Sequence, residues 1–203
     1  MNPEIVGRIA AGITIVNAIP YLVRVYQGKI KPSVTSWSLW TLIGLALLLT
    51  YHGQGAKANL WPVMLAFINP LLVTILALKK RGEWSPLTKI EIVSIAVASV
   101  ALLMWLFVHN DVAQMQYALY LSIVADACAA LPTIILVWGN PLEDRPFCWI
   151  VFVLAYALNL FAITEHTVAN YILPLWFVLG GSVVALPLTL YRIKHKIPFK
   201  EWI

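Results

Sequence analysis

The chain has 203 residues, 61% of them hydrophobic and only 11% charged, and its formal net charge is +5. Soluble domains carry about 25% charged residues, so a soluble fold of this composition would leave large apolar areas in water, and the sequence reads instead as an integral membrane protein whose first partner is the lipid bilayer. The positive balance does not point to nucleic acid, because no soluble basic domain is there to bind it; the charges sit in short loops and near the C-terminal end, where they set orientation.

The opening, MNPEIVGRIAAG, has neither a basic leader region nor an evident cleavage site and reads as the start of a retained helix. The first predicted span is Ile5–Tyr26. It carries Thr14, Asn17, Tyr21 and Arg24 at helical spacing, so the four share a face. Arg24, near its end, is placed to snorkel to the interface. Pro20 removes the hydrogen bond to the carbonyl of Val16 and acts either as a hinge or as a static kink. The second span, Thr35–Tyr51, is expected to be the shortest and to lean on Trp37 and Tyr51 as interfacial anchors. The third, Leu60–Leu78, has Pro62 near its start and Asn69 beside Pro70; Asn69 is either a ligand contact or an interhelical hydrogen bond. The fourth is Ile90–Val108, and His109 and Asp111 in the loop after it receive no role.

The fifth span, Met115–Trp138, holds Asp126 about halfway along. No Lys or Arg occurs in the apolar interior of any span, and an unpaired carboxylate at that depth is costly. Asp126 is therefore a proton-coupling or cation-binding group in a wet cavity, a substrate contact, or a neutral structural acid. Ser122, Asp126, Ala129 and Thr133 recur at helical spacing and form a polar face, and Pro132 frees the carbonyl of Cys128. The sixth span, Phe147–Thr164, opens with Trp149 and Phe152, and Asn159 lies toward its far end near Glu165 and His166. Asn159 is expected to face the cavity, and Glu165 and His166 are either solvated or part of an outer relay with Asp126. The seventh, Tyr171–Tyr191, contains Pro174 and a Gly180-Gly181-Ser182 run suited to close helix packing or to leaving room for a substrate. Cys128 and Cys148 show no metal-ligand spacing and read as packing residues, so no metal or other cofactor is expected.

The loops give the orientation. Arg24, Lys29 and Lys31 follow the first span, Lys79, Lys80, Arg81 and Lys89 follow the third, and Arg192, Lys194, Lys196 and Lys200 follow the seventh. The opposite loops hold only Lys57, Asp111 and Glu165 as formal charges. Positive residues favour the cytoplasm, which places the N-terminus outside and the C-terminus inside. In the GNPLEDRP loop Glu143 and Asp144 outnumber Arg145, but acidic residues weigh little in this rule.

An internal repeat runs through the chain. At a spacing of 112 residues Pro20 meets Pro132, Trp37 meets Trp149, Pro62 meets Pro174, Tyr26 meets Trp138 and Trp40 meets Phe152. One ungapped offset aligns three helices with three and leaves the fourth over. Because each unit has an odd number of helices, the linker helix returns the chain and both units point the same way, a parallel repeat. The expected fold is an all-α membrane protein of seven transmembrane helices: residues 1–83 as the first three-helix repeat, 84–110 as the linker helix, and 111–203 as the second repeat with a basic tail.

This 3+1+3 arrangement resembles the PQ-loop and SWEET-like transporter superfamily, with a proline near the cytoplasmic end of the first helix of each unit. The stretch AIPYLVRVYQGKIKPSVTSWSLW also resembles uncharacterised bacterial members with a G-K-x-K-P-S…S-W…W pattern, which implies a bacterial inner membrane. The eponymous Pro-Gln pair stands here as Pro20-Tyr21 and Pro132-Thr133. The resemblance implies gating motions at Pro20 and Pro132. It also implies a substrate contact at Asn69, where the SWEET group places one of an asparagine pair; the partner position is Gly181. Trp37, Trp40, Trp149 and Phe152 are an interfacial aromatic belt or an inner gate.

The expected activity is small-solute transport by alternating access, with Asp126 exchanging a proton and Thr14, Asn17, Tyr21, Asn69 and Asn159 completing the site. The expected partners are a small polar or cationic solute and H+. Seven helices can enclose a path alone, and homo-oligomers of complete transporters are common. A receptor binding a peptide or lipid in the same cavity is the alternative, as in the KDEL-receptor-like branch. The sequence has no Walker motif to couple ATP, no HExxH and no activated nucleophile, so an enzyme is not expected.

Overall fold

The computed structural model describes residues 2–202. Seven helices follow one another: α1 (Pro3–Tyr26), α2 (Val34–Gly53), α3 (Leu60–Lys79), α4 (Lys89–Val108), α5 (Val112–Gly139), α6 (Pro146–Asn159) and α7 (Val168–Lys194). A 3-10 turn, Leu160–Ala162, extends α6, and another, Phe199–Glu201, lies in the tail. Among the described residues six helices are long and apolar enough to cross a membrane. The seventh, Pro146–Ala162, is the short one, not α2 as expected, and sits at the lower limit for crossing the hydrocarbon. Tyr51 is correspondingly no interfacial anchor: it is fully buried, and α2 runs past it to Gly53.

Side-chain caps mark most helix starts. Asn2, Ser33, Asp111 and Thr167 each accept from a backbone N–H in the first turn, and Thr88 forms a reciprocal capping box with Glu91. The helices run unbroken through Pro20, Pro70, Pro132, Pro174 and Pro187. Pro20 and Pro132 both face outward.

Packing follows the repeat. In the first unit α3 lies between α1 and α2, whose backbones stay apart and whose side chains meet at Tyr21 and Trp37. In the second, α7 lies in the same way between α5 and α6. Across the units α1 packs on α6 and α2 packs on α5, two contacts that exchange under the repeat. The lesser contacts α3 with α6 and α7 with α2 exchange too. Only α4 has no counterpart; it packs on α5 and α2. The chain is thus two parallel three-helix repeats joined by a linker helix.

The main core lies where the units meet, around Ile43, Leu47 and Tyr51 of α2, Leu119 and Ala125 of α5, Tyr156 of α6 and Leu173 of α7. Hydroxyl bonds reinforce it: Thr50 with Ser122 at 3.3 Å between α2 and α5, and Ser94 donating to the Ala125 carbonyl at 2.5 Å between α4 and α5. The outer faces carry exposed apolar side chains, such as Ile15, Val16, Ile19 and Val23 on α1 and Leu103, Leu106 and Phe107 on α4. Such bands fit a surrounding of lipid, and placement in a membrane follows.

After its third helix, each unit folds back on the start of its second. The Val34 N–H donates to the Glu83 carbonyl at 2.8 Å, and the Phe147 N–H donates to the Trp202 carbonyl at 3.1 Å. Each bond satisfies an amide that a helix start leaves without an internal partner. Arg192, expected as an orienting charge, is buried and holds the GNPLEDRP loop by donating to the carbonyls of Pro141 and Asp144, both at 2.8 Å.

Candidate functional site

Between the two units lies a cavity of about 460 Å³, within the size range of small-molecule sites. It is built largely of positions that the repeat makes equivalent. Thr14 pairs with Asp126, Ala18 with Ala130, Tyr21 with Thr133, Trp37 with Trp149, Trp40 with Phe152, Gly44 with Tyr156, Leu65 with Phe177 and Asn69 with Gly181. Corresponding helices therefore present corresponding positions to one space, as a pseudo-two-fold axis along the bundle requires.

The chemistry of those pairs is unequal. Asp126 is 8% exposed, and its Oδ2 accepts from the indole N–H of Trp176 on α7 at 2.7 Å. Among the described residues it has no salt-bridge partner. Its equivalent Thr14 donates to the Ala10 carbonyl at 3.1 Å, one turn back on its own helix. Asn17 donates from Nδ2 to the Cys148 carbonyl at 3.1 Å and so ties α1 to α6. Asn69 and Tyr21 also line the space, and the Tyr21 ring lies 5.2 Å from that of Trp37.

The four aromatic residues expected as a belt or gate all line the cavity. Trp149 is fixed by donating its indole N–H to Asp144 Oδ2 at 2.8 Å, and its ring meets that of Phe152 at 6.2 Å. Deeper in, Phe152, Tyr156 and Phe177 form a cluster with ring centroids 4.5 to 5.5 Å apart. The cavity thus reaches from the loop end at Asp144 and Cys148, on the side of the basic loops, to Asp126 and Tyr156 inside the bundle.

On the opposite side the bundle is closed by a buried polar network. Tyr51 donates to the Asn170 carbonyl at 2.7 Å and accepts from Asn59 Nδ2 at 2.5 Å. Asn170 Nδ2 bonds the carbonyls of Gln54 and Glu165, and Tyr156 donates to the Pro62 carbonyl at 3.1 Å. Asn159, expected in the cavity, belongs here instead. It is fully buried, does not line the space and donates to the Asn59 carbonyl at 2.9 Å. Glu165 is not joined to Asp126; it pairs with Lys57 at 2.7 Å across the loops at this end of the bundle, and His166 pairs with the Tyr171 hydroxyl. Pro20 and Pro132 lie away from the cavity lining.

Five of the expected site residues, Asp126, Asn69, Asn17, Thr14 and Tyr21, therefore share one space. Trp176, Tyr156 and Asp144 are lining residues the sequence reading passed over. Trp176 is visible only as a tryptophan two residues beyond Pro174, and nothing in a linear reading aims it at Asp126. Among the described residues no group of His, Cys, Asp and Glu is placed to hold a metal ion. Neither known protein families, nor curated proteins, nor solved structures provide a match to this chain.

Proposed function

We propose that the chain is a small-solute transporter that works by alternating access, a PQ-loop and SWEET-like protein of a bacterial inner membrane, with its N-terminus outside and its C-terminus in the cytoplasm. The observation that carries this reading is the cavity itself. It lies between two parallel repeats, is lined by equivalent positions from both, reaches the side of the basic loops, and is closed opposite by the Tyr51–Asn59–Asn170 network. Rocking the units about their shared axis exchanges an arrangement open to one side for one open to the other, with the site fixed between them. The cytoplasmic side is the one carrying the basic loops, so this structure corresponds to an inward-facing state.

Asp126 is the group that binds the coupled proton in this scheme, and the aromatic pairs at the starts of α2 and α6 close the inner mouth. Alternating access can be tested without knowing the solute. Replacing Cys128 and Cys148 by Ala and then Thr14 by Cys puts one thiol inside the cavity. A membrane-impermeant maleimide should label it both in right-side-out and in inverted vesicles. Labelling from one face alone would identify a static binding protein, the behaviour expected of a receptor.

A further inference from the structure

We infer that the transported solute is a monovalent organic ammonium, and that it exchanges for a proton at Asp126. This rests on the transporter reading above and adds the class of solute and the coupling rule.

The cavity is acceptor-rich and ringed by π faces. Among the described residues its two charged side chains are both carboxylates, Asp126 and Asp144, and no Lys, Arg or His lines it. Each carboxylate accepts an indole N–H, from Trp176 and Trp149, and neither faces a cation within salt-bridge distance among the described residues. Around the deeper one stand Trp176, Tyr156, Phe177 and Phe152, whose ring faces attract an ammonium group once water is excluded. The remaining titratable groups sharing the space are Tyr21 of α1 and Cys148 and Tyr156 of α6; α2, α3 and α7 contribute none, and α4 does not reach it. None of the described residues therefore supplies the positive charge that Asp126 needs at its depth.

Two guests can supply it, a proton or an ammonium, and one carboxylate holds only one at a time. A bare carboxylate resists passing through a closed, dehydrated intermediate, because its charge is then uncompensated. The protein reorients with the carboxyl protonated or with the ammonium paired to it, and not empty. One ammonium then moves against one proton, and the exchange carries no net charge. Proton and cation compete, so each weakens the binding of the other by the same factor.

The test uses purified full-length protein in liposomes holding the pH dye pyranine, with benzyltrimethylammonium and choline as probes and glucose and leucine as neutral and zwitterionic controls. External benzyltrimethylammonium should make the lumen alkaline, and clamping the membrane potential with valinomycin and potassium should not change the rate. Asp126→Asn should lose exchange by about tenfold or more, which corresponds to about 1.4 kcal/mol. Asp126→Glu should restore part of it, and a melting curve of the Asn variant should confirm that it is folded. Movement of the probe with no luminal pH change, or with acidification, would overturn exchange at Asp126. Uptake of glucose or leucine with neither ammonium moving would overturn the solute class and leave transport standing. No movement of any of the four, together with one-sided labelling of the Thr14→Cys protein, would remove the transporter reading itself.

Discussion

Single side chains decide how the bundle is closed. The Tyr51 hydroxyl both donates to Asn170 and accepts from Asn59, so one oxygen joins α2, the α2–α3 loop and α7. Replacing Tyr51 by Phe keeps the ring and deletes both bonds. Interhelical hydrogen bonds in membrane proteins average about 0.6 kcal/mol, and leaving a buried polar group unpaired costs about 1–3 kcal/mol. Tyr51→Phe should therefore lower stability by about 1 kcal/mol, read as a lower midpoint of thermal unfolding in detergent, and adding Asn59→Ala should cost less than its own separate effect. At this scale the sequence was only partly legible. Asp126 stood out because an acid amid apolar residues has few explanations, and helical spacing placed Thr14, Asn17 and Tyr21 beside one another. Asn159 misled for the same reason in reverse: a polar residue in a span points inward, but inward here is toward the Asn59 carbonyl and not the cavity. Arg192 looked like an orienting charge because its carbonyl partners belong to a loop some fifty residues earlier, a pairing that no local pattern encodes.

Helices meet closely where the repeat breaks its own pattern. Gly44 of α2 lies against α3, and a Cβ there would fall 2.6 Å from the Ala66 carbonyl oxygen and 2.9 Å from the Phe67 Cα. Its equivalent in the second unit is Tyr156, and the close approach is taken over by Gly181 of α7, where a Cβ would lie 2.9 Å from side-chain atoms of Phe152 and Val153. The two interfaces are alike in fold, but the small residue sits on the second helix in one and on the third in the other. Side chains can turn aside and backbone cannot. Gly181→Ala should cost about 1 kcal/mol and Gly44→Ala about 3 kcal/mol or more, a ranking that thermal unfolding of the two variants would check. Apolar runs located every helix, because spans of this hydrophobicity have no other use. Helix ends were less legible: α5 begins at Val112 and α7 at Val168, three residues before the expected starts, because the Asp111 and Thr167 caps lie in polar sequence outside the apolar runs. The short α6 was unexpected for a similar reason, since its last turn tightens into a 3-10 turn while the sequence stays apolar.

At the scale of the whole molecule two three-helix units and a linker helix surround a common space, and the proposed transport cycle predicts that the motions are those of the units. Pro20 and Pro132 sit at equivalent outward-facing positions on α1 and α5, each having removed one rung of its helix. Replacing both by Ala restores those rungs without touching the cavity. The double variant should bind benzyltrimethylammonium with little change and exchange it more slowly, measured as the rate of pyranine response at saturating probe. An unchanged rate would mark the prolines as packing kinks. The repeat was legible in paired Pro and Trp residues because a kink and a bulky ring tolerate few substitutes. The unequal chemistry of its halves was legible only in part, since Asp126 opposite Thr14 can be read from the offset, whereas Trp176 reaching Asp126 cannot. The placing of the third helix between the first two also bears on how the protein is made. A ribosome that has delivered α1 and α2 has delivered two helices whose backbones do not pack on each other and whose side chains meet at Tyr21 and Trp37, and the pair is complete only when α3 packs between them. The same gap recurs between α5 and α6 until α7 arrives. α7 is thus the span that seals the second unit, and a nascent chain stopped before it leaves α5, packed on α2 and α4, and α6, packed on α1, each with a face uncovered for the cell's quality-control proteases.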